Sequence, residues 1–222
     1  WAEIMDFAKY SFYDKLTDKE REFFLASLRG RSFGAGQDVY RGDCTGLIFT
    51  EKGRLCAYTL SAEGREITLY RLTEGDVCLF SASCALENTD FDVFVRAETD
   101  TDISLLPADA FKKLSESSLA FSSFVNALAM RRFSDVMWVL DGVLNKKFDA
   151  RLASLLLEER SYAGADRLHI THERLAAHLG TVREAVSRML KYFEGEGLVH
   201  IFRGGVEIAD VKALEKLAIS AK

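Results

Sequence analysis

The 222-residue chain is poor in several things, and each shortage excludes something. It has a single proline, Pro107, no biased tract and no internal repeat, so low-complexity and repeat architectures are out. No apolar run approaches the length of a membrane span, and no charged-then-apolar segment opens the chain. Its four cysteines (Cys44, Cys56, Cys78, Cys84) contain no C-x-x-C pair, which favours free thiols in a reducing cytoplasm. There is no excess of positive charge: the net charge is -5, unusual for a protein that depends mainly on phosphate attraction. Catalytic arrangements are missing too, with no Ser-His-Asp set, phosphate loop or paired acids, so no enzyme is expected. Beginning at Trp1 rather than Met, the chain is expected to lack some N-terminal residues.

The richest stretch is near the C-terminus. Thr171 can cap a short helix whose apolar positions are Leu175, Ala176 and Leu179. After Gly180, Thr181-Val182-Arg183-Glu184 reads as a Thr-x-x-Glu capping box for a longer helix. Val186, Met189, Leu190 and Phe193 share one face of that helix, and Arg183, Glu184, Ser187, Arg188 and Lys191 share the other. Gly195 and Gly197 end it. Leu198–Phe202, a turn at Arg203-Gly204-Gly205 and Val206–Ile208 then predict a β-wing. Helix, turn, helix and wing make a winged helix-turn-helix. Arginine suits bidentate pairing with guanine, and glutamate accepts from the cytosine amino group. From Ser161 to Gly205 there are six Lys/Arg against five Asp/Glu, so modest non-specific affinity and a need for two copies are expected.

Upstream, Thr17-Asp18-Lys19-Glu20 forms a capping box before an apolar stripe of Phe23, Phe24 and Leu28. From Arg31 the period becomes two. Short runs such as Leu47–Thr50, Arg54–Leu60, Glu66–Leu72, Asp92–Ala97 and Thr101–Leu106 alternate with glycines, and Ser61–Gly64 reads as a hairpin turn. Many short strands with glycine turns predict a β-sandwich or jelly roll. Pro107 can open a short helix through Leu114, Ser115–Ser118 punctuates it, and a long helix follows from about Leu119 to Leu144. Its apolar seam is Phe121, Phe124, Val125, Leu128, Val136, Val139, Leu140 and Val143, widened by Met130, Phe133 and Met137. A helix apolar on two sides needs two covers. Asn145–Lys147 is the expected hinge, followed by a helix from Phe148 to Glu159, a loop at Ser161–Asp166 and a closing helix at Val211–Ala218.

Arg183-Glu184-Ala185-Val186-Ser187-Arg188 resembles the recognition helix of the Crp/Fnr family of bacterial transcription regulators, and the upstream order resembles the same family over almost the whole chain. The resemblance implies an α+β fold: an N-terminal double-stranded β-helix or jelly roll, a long dimerisation helix, and a C-terminal winged helix-turn-helix. Its expected divisions are a sensing β-roll at 1–114, the dimerisation helix and hinge at 115–146, and the DNA-binding domain at 147–222. It further implies a homodimer reading a pseudo-palindrome with TGTGA- or TTGAT-like half-sites, and RNA polymerase as a partner. Arg183, Glu184 and Arg188 would read base edges. Ser187, Lys191, Thr171 and His172 would lie near the backbone, with Arg203 on the wing. A regulatory subunit whose β-roll controls a partner protein is the competing expectation.

The effector is less legible. In the family's cyclic-nucleotide receptors an Arg-Ser or Arg-Thr/Ala pair holds the phosphate, where this chain has Phe91 and Asp92; a carboxylate repels a phosphate and a phenyl ring offers no donor. Val77–Leu86 also lacks the family's ribose-binding acid. Both departures argue against cyclic AMP. All four histidines (His169, His172, His178, His200) lie in the C-terminal third, which leaves haem only a cysteine ligand in the sensor. The N-terminal cysteine cluster of the oxygen-sensing branch is absent, and no metal site is expected. What remains is a pocket of Cys78, Phe80, Cys84, Phe91, Phe94, Phe124 and Leu128, open to an apolar organic effector, to haem or to thiol oxidation.

Overall fold

Leu47-Ile48-Phe49 is an unbroken apolar run because its strand is covered on both faces. The computed structural model describes residues 6–40, 45–79, 81 and 92–219. It divides into two compact units, Trp1–Thr59 with Leu69–Val136, and Leu60–Thr68 with Met137–Lys222.

The first unit opens with two 3-10 turns, Phe7–Lys9 and Tyr13–Lys15, and α1 (Asp18–Ser27). The Thr17 capping box forms: the Thr17 hydroxyl accepts from Glu20 N at 3.4 Å and Glu20 accepts from Thr17 N at 2.7 Å. Among the described residues eight strands follow: β1 (Arg29–Phe33), β2 (Asp38–Tyr40), β3 (Gly46–Lys52), β4 (Leu55–Leu60), β5 (Glu66–Leu72), β6 (Val77–Cys78), β7 (Phe94–Ala97) and β8 (Thr101–Pro107), with Leu60 of β4 and the first three residues of β5 counted in the second unit. They form two four-stranded sheets, ordered β1-β8-β3-β6 and β2-β7-β4-β5. The pairs β1–β8, β3–β8, β3–β6, β2–β7 and β4–β7 are all antiparallel, which gives the jelly roll. Ile48, Ile103 and Cys78 from one sheet meet Leu55, Leu72 and Val95 from the other. Gly46 has φ 121°, and a Cβ there would lie 2.0 Å from Leu106 O, so only glycine lets β3 start against β8.

Alternation turns Leu47 and Phe49 to the opposite face, where the N-terminal segment and two helices cover them. These helices are α2 (Ala108–Ser117) and α3 (Leu119–Asn145). Phe12 is central to this second core, with ring centroids 5.4 Å from Phe24, 5.1 Å from Phe121 and 4.7 Å from Phe124. α2 runs three residues past the expected end at Leu114 because its serines need not break it: Ser117 Oγ donates to Lys113 O at 2.8 Å.

The second unit contains α4 (Phe148–Ala163), β9 (Arg167–Leu168), α5 (His172–Leu179), α6 (Arg183–Gly195), β10 (Val199–Phe202), β11 (Gly205–Ile208) and α7 (Val211–Ile219). α4 outruns its expected end at Glu159 to reach Gly164, which takes φ 63° and donates its N–H to Arg160 O. The wing is a three-stranded sheet, β10-β11-β9, rather than the expected hairpin alone; the two-residue β9 is too short to leave a periodic signal. No helix among the described residues is long and apolar enough to cross a membrane.

Phe121→Ala should lower unfolding free energy by about 3–5 kcal/mol by opening a cavity in the aromatic core. Thr17→Ala should cost only about 1 kcal/mol through the lost cap. Urea titrations of both variants check the ranking.

Candidate nucleic-acid interface

α6 is a helix with one face committed to the interior. Val186, Leu190 and Phe193 are fully buried against Leu152, Leu156, Leu175, Val199 and Val206. The helical repeat then leaves Arg183, Glu184, Arg188 and Lys191 exposed, with Ser187 half-buried among them. Three contacts hold the helix in place. Glu194 accepts from Ile201 N at 2.8 Å, fastening the C-terminal end of α6 to β10. Arg151 donates to Leu179 O at 2.6 Å, and burial lowers the Arg151 pKa from its ordinary value. Between α5 and α6, Gly180 adopts φ 63° while Thr181 N bonds to Ala176 O at 3.0 Å, closing a Schellman-type turn.

That turn corrects one expectation. Thr181 does not cap α6: Val182 occupies the N-cap position and makes no side-chain cap. The expected cap on α5 does form, with Thr171 Oγ1 accepting from Arg174 N at 3.1 Å. Thr171 is exposed at the start of α5 beside half-buried His172. His172 Nδ1 lies 2.8 Å from Ser187 Oγ. Burial, and then the Arg183 charge, hold the His172 pKa below its ordinary value. Arg203 is exposed in the turn between β10 and β11. Gly205 has no room for a side chain, since a Cβ would lie 2.1 Å from Leu168 O. The residues Leu60–Thr68 belong to this unit as well. Thr68 Oγ1 is 2.8 Å from His178 Nδ1 and Glu66 accepts from Arg174 at 3.5 Å, so these two polar side chains of α5 are engaged within the unit.

In the first unit, Phe80, Cys84 and Phe91 lie outside the described residues, as does Cys44. Cys78 is fully buried between the two sheets, and burial pushes its pKa up, which disfavours the reactive thiolate. Phe94 stacks on Tyr58 at 5.5 Å, whereas Phe124 and Leu128 belong to the aromatic core under α3. A residue that sequence reasoning missed is Arg132, one turn beyond Leu128. It is 5% exposed, its guanidinium sits 4.7 Å over the Tyr70 ring, and it pairs with Asp135 at 2.7 Å and Asp76 at 3.9 Å. The Tyr70 hydroxyl is 4.0 Å from Cys78 Sγ. The signal available in the sequence was the i, i+3 Arg132–Asp135 pair within an apolar seam.

Two family models match the chain: a cyclic nucleotide-binding domain over residues 30–118 and a Crp-like helix-turn-helix domain over residues 150–217. A solved structure of the crp/fnr family from Eubacterium rectale is 42% identical, with a TM-score of 0.93 covering 96% of this chain and 100% of that one. The Cyclic AMP receptor protein of Thermus thermophilus is 27% identical over 205 residues, 91% of this chain and 94% of its own length. The c-di-GMP responsive global regulator CLP of Xanthomonas campestris shares the fold, with a TM-score of 0.74 at 20% identity over 87% of this chain and all of its own.

Because His172 is depressed below its ordinary value of 6.5, the folded state binds fewer protons there than the unfolded chain. Its contribution to stability is present in full above pH 6.5 and falls as pH drops through the lowered pKa. His172→Gln should remove that part of the acid-side decline, read as urea midpoints on either side of pH 6.5.

Proposed function

The chain belongs to the Crp/Fnr family of DNA-binding transcription regulators and is not an enzyme, and we propose that it works as a homodimer that reads a pseudo-palindromic site under the control of an effector in its β-roll. The observation that carries this reading is the unpartnered stripe on α3. Met130, Phe133, Met137, Leu140 and Leu144 are spaced three, four, three and four residues apart, the a/d pattern of a coiled coil. They are exposed, with Phe133 at 61% and Leu144 at 70%, while Phe121, Phe124, Val125 and Leu128 pack inward. Leu140, expected in one seam with Phe121 and Leu128, therefore joins the exposed stripe, and Val143 of that same seam is exposed too. Solvated apolar side chains in this order favour the same stripe of a second copy.

A two-fold dimer would present two α6 helices to successive major grooves about 34–36 Å apart. Arg183, Glu184 and Arg188 would read base edges in TGTGA- or TTGAT-like half-sites, with Lys191, Thr171, His172 and Arg203 on the flanking phosphates. Sensing belongs to residues 1–114, dimerisation and hinge to 115–146, and DNA binding to 147–222. The effector is not cyclic AMP: Asp92 stands where a receptor would offer a phosphate donor, and its charge opposes the ligand's. Buried Cys78, with its raised pKa, speaks against a thiol switch at that position. Effector binding acts by favouring the DNA-competent arrangement of the dimer.

Phe133→Glu should convert the dimer to a monomer in sedimentation velocity and abolish high-affinity binding to a two-half-site duplex. Persistence of the dimer would remove α3 from the interface. Arg188→Ala should cost about 1–3 kcal/mol of specific binding and relax discrimination at one base pair. Lys191→Ala should weaken all duplexes alike and flatten the salt dependence.

A further inference from the structure

Ser187 occupies the centre of the outward face of α6, four residues after Arg183, three after Glu184, directly before Arg188 and four before Lys191. A free serine hydroxyl has one proton and two lone pairs and rotates to serve either role, so alone it discriminates little between base edges. Here it is not free. His172, at the start of α5, holds it through the 2.8 Å contact from Nδ1 to Oγ. Burial and then the Arg183 charge hold the His172 pKa below its ordinary value, which favours the neutral ring, with one N–H and one lone pair.

Which nitrogen carries the proton follows from what His172 faces on DNA. Nε2 makes no hydrogen bond among the described residues, and phosphate oxygens only accept. A ring that contacts a phosphate must therefore place its proton on Nε2, which leaves Nδ1 as an acceptor. The Ser187 proton then points at Nδ1 and the Oγ lone pairs point outward. In the major groove such a group pairs with the amino groups of adenine N6 and cytosine N4 and is repelled by thymine O4 and guanine O6.

We propose that His172 is a positioning residue that fixes Ser187 as a hydrogen-bond acceptor, so that Ser187 selects an amino-bearing base at one position of each half-site. The proposal rests on the reading of α6 as the recognition helix. It moves Ser187 from the phosphate backbone to the base edges, and it makes readout depend on a residue of the preceding helix.

The test begins by selecting duplexes from a randomised library with the full-length protein. Binding is then measured to the selected site and to each single base-pair change, for the parent chain, Ser187→Ala, His172→Ala, the double variant and His172→Asn. Ser187→Ala and His172→Ala should each lose roughly tenfold of discrimination at the same base pair. The double variant should lose no more than either alone, since the two act as one unit. His172→Asn should restore part of the loss, because its amide oxygen also accepts from the serine. Thermal melting of each variant identifies any change in folding.

If His172→Ala lowers affinity equally for every duplex and leaves discrimination intact, His172 is a phosphate contact only and the proposal fails, while the reading of α6 stands. Loss of discrimination at every position would also overturn it, since His172 would then support the whole helix rather than one hydroxyl. A parent chain that selects no sequence at all would overturn the recognition reading itself.

Discussion

One-sided burial of α6 is the constraint on which the C-terminal unit depends. Val186, Leu190 and Phe193 are excluded from water together, and each contributes roughly 1.5–3 kcal/mol on transfer from solvent. An α-helix cannot bury those positions without holding Arg183, Glu184, Arg188 and Lys191 on the far side. The rest of the unit serves that orientation. The Schellman-type turn sets where α6 begins, Glu194 ties its end to the wing, and Arg151 satisfies the carbonyl end of α5. The charged side chains of α6 are exposed as a consequence of what their neighbours bury.

The first unit is built by the same logic in two layers. β3 sits between two cores, so alternate residues serve the sandwich interior and the aromatic layer beneath α3. Into this apolar setting the chain places Arg132. A buried guanidinium without partners would carry a heavy desolvation penalty; the contacts to Asp135, Asp76 and the Tyr70 ring offset it. The cluster joins α3 to Tyr70 on β5 and Cys78 on β6 through directional contacts, which makes that junction more geometrically defined than apolar packing alone.

Two capping boxes show how far local sequence can be read. Thr17-x-x-Glu20 and Thr181-x-x-Glu184 match the same pattern, and only the first forms. The difference lies in the preceding backbone. Thr17 follows a segment with no competing use for its N–H, whereas Thr181 N closes the turn at the end of α5 by bonding to Ala176 O. A three-residue turn between helices leaves Thr181 serving the first helix rather than the second. The seam on α3 gives a similar case: period alone put Leu140 and Val143 in one seam with Phe121 and Leu128, yet covered and exposed stripes are neighbours on a helix apolar on two sides, and only packing separates them.

By itself the sequence determined the class of fold, the order of its parts and the outward composition of α6, because these follow from periodicity, glycine positions and local side-chain spacing. Tertiary structure alone decided which apolar stripe of α3 is left uncovered, that Arg132 is buried in the first unit, and that His172 meets Ser187 across fifteen residues. Each of those depends on which surfaces are brought together when the elements pack, and residue spacing along one element carries no record of the element that will face it.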